Sequence, residues 1–212
     1  MRSAHGVFLA SGLAVLSAAS AGCNLLVPLA IASPPPTEKV PAEFNKLESS
    51  KAMVLVWAEP DVLFDYPNVR LELGAYVAEH LKAHVKDVQF IPARQVEEYI
   101  ERQGGMTQDP EAAGRYFHVD KVIHITLLEF SMRDREMAHF YRGRVRASVA
   151  VYDLKDKSGT TQRYALSDAN VVYPEKQALG FDGTAPQVIR QKTYEAFAEA
   201  VGRKFYAYDK EV

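Results

Sequence analysis

With one cysteine in 212 residues, Cys23, this chain cannot close a disulfide on itself or hold zinc in a thiolate cage, so its fold must rest on a hydrophobic core. It also lacks a charge excess of either sign, with 25 basic residues against 27 acidic ones. Without Arg2, the single basic residue of the first 37, the remainder carries a net charge of −3. Such a near-neutral body argues against sequence-independent nucleic-acid binding, which rests on a basic surface, and no nucleic-acid partner is expected. The signatures of common catalysts are missing too: there is no G-x-S-x-G serine elbow and no H-E-x-x-H pair. Gly180-Phe181-Asp182-Gly183 has the glycines of a phosphate loop but neither its lysine nor a preceding strand. No enzymatic activity and no cofactor are therefore expected. The alternative is a secreted or anchored hydrolase with an unsignalled site.

What is present begins at the N-terminus. Val7 to Leu16 is an apolar core of signal-peptide length, followed by the small residues Ser17 to Gly22. Ser20-Ala21-Gly22-Cys23 resembles the lipobox of bacterial lipoproteins, in which the cysteine is acylated and becomes the mature N-terminus; Ser20 stands where leucine is usual. Two other readings follow from the residues themselves. Ala30-Ile31-Ala32 has the form of an ordinary cleavage site, as does Ala19-Ser20-Ala21, and cutting after Ala32 releases a soluble chain without Cys23. The uncharged run from Gly6 to Ala32 is also long enough to span a bilayer as an uncleaved anchor. The organisation expected is a signal peptide over 1–22, a lipidated N-terminus and spacer over 23–50 and one globular domain over 51–212. The spacer includes the stiff Ser33-Pro34-Pro35-Pro36-Thr37. The lipoprotein resemblance implies several acyl chains, palmitate among them, on Cys23. At about 0.8 kcal/mol per buried methylene they form a lasting tether to the membrane. Asn24 stands where an aspartate favours inner-membrane retention in enteric bacteria, so the resemblance implies a periplasm-facing position at the outer membrane.

In the domain, strand and helix patterns alternate, which predicts an α/β (α+β) fold with a mixed sheet of about five strands in the order β-α-β-α-α-β-β-β-α. Met53 to Ala58 is a continuous apolar run, as in a central strand covered on both faces. A helix from about Val69 places Leu73, Tyr76, Val77, His80, Leu81 and His84 on one face. Asp87 to Ile91 reads as a strand, Pro92 opens a helix ended by Gly104-Gly105, and Asp109-Pro110 opens a third helix. Val119 to Phe130 is a strand. From Tyr141 to Tyr152 Val145, Ala147, Val149 and Val151 alternate with Arg142, Arg144, Arg146 and Ser148, the pattern of an antiparallel strand with one wet face. Asp156 to Gly159 supplies a turn, Thr161 to Val172 returns as the hairpin partner, and Thr184 with Gln187 caps a last helix carrying Val188, Ile189, Lys192, Phe197, Ala200, Val201 and Phe205.

This layout resembles the periplasmic domains of the curli-secretion-channel (CsgG) lipoproteins and relatives such as the N-terminal domain of TolB. The likeness is carried by the Ala113 to Val122 helix-to-strand passage and by Val149-Ala150-Val151-Tyr152-Asp153 before Ser158-Gly159. It implies a non-catalytic auxiliary protein of secretion, transport or envelope assembly with a protein partner in the envelope, and it is compatible with a homo-oligomer. The chain lacks the long inserts from which channel-forming members build membrane hairpins.

Two polar groups stand out as site candidates. His80 and His84, four apart on a helix, can face one metal ion, but two ligands do not make a closed site and no metal is expected. Arg142, Arg144 and Arg146 lie on one strand face and can grip carboxylate or phosphate in two-pronged fashion. The plainer reading makes them a solvated sheet face neutralised by acids across the hairpin.

Overall fold

A central parallel strand organises the chain. The computed structural model describes residues 36–105, 109–134, 136, 140–154, 160–176 and 186–211. The signal segment, Cys23, the Asp156 to Gly159 turn, Gly180 to Gly183, Thr184 and His139 lie outside the described residues. The chain divides into two compact units, one of Met1–Lys39 with Asp209–Val212 and one of Val40–Tyr208. Strands β1 (Thr37–Val40) and β8 (Tyr208–Glu211) form a two-stranded sheet of their own.

In the larger unit, β2 (Lys51–Trp57) runs parallel to β3 (Gln89–Phe90) on one side and to β4 (Lys121–Arg133) on the other. Its alternate residues serve two cores, as the unbroken apolar run predicts. Ala52, Val54 and Val56 enter one cluster, Met53 and Leu55 the other. β5 (Tyr141–Asp153) pairs antiparallel with β4, and along its far side lie β6 (Gln162–Ala165) and β7 (Ala169–Tyr173). The fold is thus α+β with a mixed sheet closed by a C-terminal hairpin and helix. The expected return strand is broken in two, so the main sheet has six strands where about five were expected. β3 is two residues long, shorter than the predicted Asp87 to Ile91, because Asp87 takes a left-handed turn with φ 52°.

Among the described residues, five helices cover the sheet unequally. On one face lie α2 (Val69–His84) and α5 (Pro186–Gly202), with the short α1 (Pro60–Asp65) ahead of α2. Val69, Leu73, Val77 and Leu81 of α2 and Ile189, Phe197 and Val201 of α5 are buried at helical spacing. Val188, expected on the same stripe, points outward instead. On the other face lie α3 (Ala93–Arg102), packed on β2 and against α2, and α4 (Pro110–Phe117), packed on β4. Their ends follow the sequence. Gly104 and Gly105, with φ of 84° and 79°, stop α3, and the Asp109 carboxylate accepts the N–H groups of Glu111 and Ala112 at 3.0 Å to cap α4. Gly114 lets α4 sit tightly on the sheet, since a Cβ there would lie 2.3 Å from Leu154 Cδ1. Phe44 and Leu47 are buried in the main cluster, so the core reaches ahead of Lys51.

Candidate functional site

The unequal covering leaves half of one sheet face open. The second core ends at Val122, Tyr152 and Leu154. Beyond it, no described helix lies over β5, β6 and β7 on that side. Alternation along β5 puts Arg144, Arg146, Ser148 and Ala150 on the face that Tyr152 shares. Register adds Thr126 opposite Ser148, Glu129 opposite Arg146, Arg163 opposite Tyr152 and Asn170 opposite Arg146 on the far side. Leu128, the extra residue where the β4 register shifts, stands 48% exposed beside them.

The three arginines singled out from sequence do not act together. A second register shift, between Ser131 and Arg133, falls opposite Arg142 and Gly143. From there Arg142 reaches round the strand end, donating from Nε to Pro174 O at 3.1 Å and from Nη2 to Glu175 O. Arg144 Nη2 lies 3.4 Å from Asp134 Oδ2, a carboxylate only 6% exposed. Arg146 remains exposed and makes no hydrogen bond or ion pair among the described residues, and Arg163 on β6 is in the same condition. The same Asp134 Oδ2 lies 3.9 Å from Arg142 Nη1, so one acid neutralises both Arg142 and Arg144. Arg163 was not singled out from sequence; its place in the return strand was the available signal, but only the register brings it to this face.

His124 marks the inner margin of the open half. It lies opposite Ala150, its ring edge-on to Tyr152 at 6.1 Å, and its Nε2 is buried without a partner. Burial, with the Arg163 charge adding to it, pushes its pKa down to about 4, so the ring is neutral at pH 7. Trp57, opposite Thr126, likewise has a buried Nε1 without a partner. The open face thus offers two exposed guanidinium groups, hydroxyls of Thr126 and Ser148 and an apolar contact at Leu128, an arrangement able to take a carboxylate-bearing or otherwise anionic surface.

Two other clusters carry chemistry-bearing groups. His80 and His84 stack with centroids 4.3 Å apart and planes at 18°; His80 Nε2 bonds Tyr206 OH at 2.7 Å, and His84 Nδ1 bonds the His80 carbonyl at 2.8 Å. Parallel stacked rings aim their nitrogens side by side rather than at one point. No group of three or more metal-ligating side chains occurs among the described residues. Burial and the neighbouring His84 hold His80 below its usual pKa, against the pull of Glu199.

The second cluster joins parts of the chain that sequence reasoning did not connect. Lys204 Nζ donates to Ser167 Oγ and, at 3.3 Å, to Glu43 Oε1, while Ser167 donates its N–H and its hydroxyl to the same carboxylate at 2.7 and 2.5 Å. Burial raises the Glu43 pKa, but the bonds from Ser167 and the Lys204 charge outweigh it and hold the carboxyl below its usual value. A serine beside a lysine suggests an activated nucleophile. Here the lysine faces only acceptors, which suits an ammonium rather than a base, and the carboxylate is a weak one. The arrangement clasps the segment before β2 to the β6–β7 corner and the end of α5.

Among the described residues no helix is long and apolar enough to cross a membrane. No protein-family model matches the chain, and no curated protein matches it. Solved structures do resemble it. A PelC dodecamer from Paraburkholderia phytofirmans superposes with a TM-score of 0.42 at 11% identity, covering 79% of this chain and 96% of that one. Lipoprotein GNA1162 from Neisseria meningitidis gives 0.42 at 19% identity, over 72% and 98%. A minor lipoprotein from Acinetobacter baumannii gives 0.31 at 14%, over 75% and 92%.

Proposed function

We propose that this protein is a lipid-anchored component of the bacterial cell envelope, held at the membrane through Cys23, that works by binding an anionic protein partner within a secretion, transport or assembly complex. The observation that carries the binding role is the open half-sheet with its two uncommitted arginines, Arg146 and Arg163. Guanidinium groups without carboxylate partners among the described residues, set on a rigid sheet beside an exposed Leu128, are preorganised to meet carboxylates. The anchoring role rests on the uncharged run that ends at Ala21-Gly22-Cys23. The sequence resemblance to the curli-channel lipoproteins supports an auxiliary role in such a complex.

Each part has its own test. Intact mass of the membrane-extracted protein should give an N-terminal Cys23 bearing acyl chains; a chain beginning at Ser33 would remove the anchor. A photo-crosslinking residue at Ser148 should trap a discrete acidic envelope protein in cells, and the adduct should fall at least tenfold in the double variant Arg146→Glu, Arg163→Glu. An unchanged adduct would dismiss the face as the binding site.

A further inference from the structure

The outer edge of β7 borders a groove of about 640 Å³, lined by four consecutive residues, Asn170 to Tyr173, and by Ala196 and Ala200 of α5. Successive strand residues point to opposite faces, so a groove on a face is lined by alternate residues. One lined by consecutive residues runs along the edge, where backbone N–H and C=O groups point outward. β7 bonds β5 on its other side, and among the described residues no strand follows it.

Exposed edges are normally guarded by shortness, charge or proline. β3 on the opposite edge is two residues long, and β6 carries Arg163. β7 reads Ala-Asn-Val-Val-Tyr, with no charge and no proline. We infer that this edge is an interface for a second copy of the chain, the two β7 strands pairing antiparallel so that both sheets become one.

The sequence of the strand suits a twofold through Val171. Asn170 then lies opposite the partner's Val172, and the small Ala169 opposite the partner's Tyr173, with no like charges meeting. α5 packs on both β5 and β7. Strand spacing of about 4.8 Å then sets the two α5 helices roughly 10 Å apart, an ordinary packing distance that Ala196 and Ala200 leave room for. The charges at the groove ends complement each other. Arg203, paired with Glu199 of its own helix and lying over the Tyr208 ring, lines the groove and also neighbours Ala169 and Asn170, whereas Glu175 follows β7 at the other end. Antiparallel pairing brings Arg203 to the partner's Glu175 twice, and the Glu175 carboxylate has no other bond among the described residues.

Sedimentation of the full chain in detergent should show a dimer at micromolar concentration. Amides of residues 169–173 should be protected from hydrogen exchange and lose that protection on dilution. Val172→Lys should give a monomer; Arg203→Glu should weaken the dimer about tenfold, and adding Glu175→Arg should restore it. A chain that stays monomeric at every concentration, or an oligomer indifferent to Val172→Lys and Arg203→Glu, would overturn the inference and leave the edge to a foreign strand. Should Val172→Lys fail to fold, the charge swap decides alone, since a purely structural effect of Arg203→Glu is not rescued by Glu175→Arg.

Discussion

His124 shows how one side chain ties the open face to the stability of the fold. Its ring is held neutral between the covered and open halves of the sheet, with a pKa of about 4 against 6.5 for an unperturbed histidine. The unfolded chain therefore binds a proton that the folded one refuses, and stability is full above pH 6.5 and withdrawn as pH falls from 6.5 to 4. The loss is about 3 kcal/mol by linkage. His80, also held low, titrates in the same direction, so the His124 share must be isolated by mutation. His124→Phe keeps the ring and removes the proton. Urea unfolding at pH 7 and at pH 4.5 should show the variant losing about 2 kcal/mol less than the parent across that interval. Equal losses would mean that the ring is solvated and titrates normally. Gly143 is a second residue-scale constraint, because a Cβ there would sit 1.9 Å from Thr193 Oγ1 on α5. Gly143→Ala should destabilise by about 1–3 kcal/mol in chemical denaturation, since sheet and helix must part to admit the methyl group.

At the scale of elements, the β4–β5 ladder is pinned at one end by a buried ion pair. Lys121 Nζ and Asp153 Oδ1 lie 2.6 Å apart, on residues directly opposite in register, with side chains 9% and 5% exposed. Asp153→Ala strands a buried ammonium and should lower stability by about 3–5 kcal/mol, read from the urea midpoint. Replacing both residues by apolar ones should recover much of that loss, because two desolvated charges contribute little net stability. The elements themselves were largely legible. The apolar run of β2, the alternation of β5, the Gly104-Gly105 stop and the Asp109 cap each state a local preference that tertiary packing left intact. Packing is where the sequence fell short. Leu166 still donates its N–H to Val149 O of β5, and the return strand splits only at Ser167 and Asp168, because the corner is held by Glu43 and Lys204, 124 and 37 residues away from Ser167. The arginine triad misled for the same reason. Period-two spacing put Arg142, Arg144 and Arg146 together, whereas the buried Asp134 takes up Arg142 and Arg144 and leaves Arg146 apart. Arg163 joined the face through strand pairing, which has no local signature.

For the whole molecule, holding the membrane and binding a partner fall to parts of the chain far apart in sequence, and the proposed function requires that they be separable. Residues 40–208 build a core of their own, with one cluster on each side of the sheet. Cys23→Ser should therefore shift the protein out of the membrane pellet without changing its urea midpoint. Arg146→Glu with Arg163→Glu should do the reverse, leaving the protein in the pellet while the Ser148 crosslink disappears. Ionic strength supplies an orthogonal check. Exposed guanidinium–carboxylate contacts are screened over a Debye length of about 8 Å at 0.15 M salt and about 3 Å at 1 M, whereas burial of acyl chains in lipid is not. Washing membranes with 1 M salt should accordingly strip the partner from the protein and leave the protein on the membrane. If salt releases the protein itself, its hold on the membrane is electrostatic and Cys23 is not the anchor.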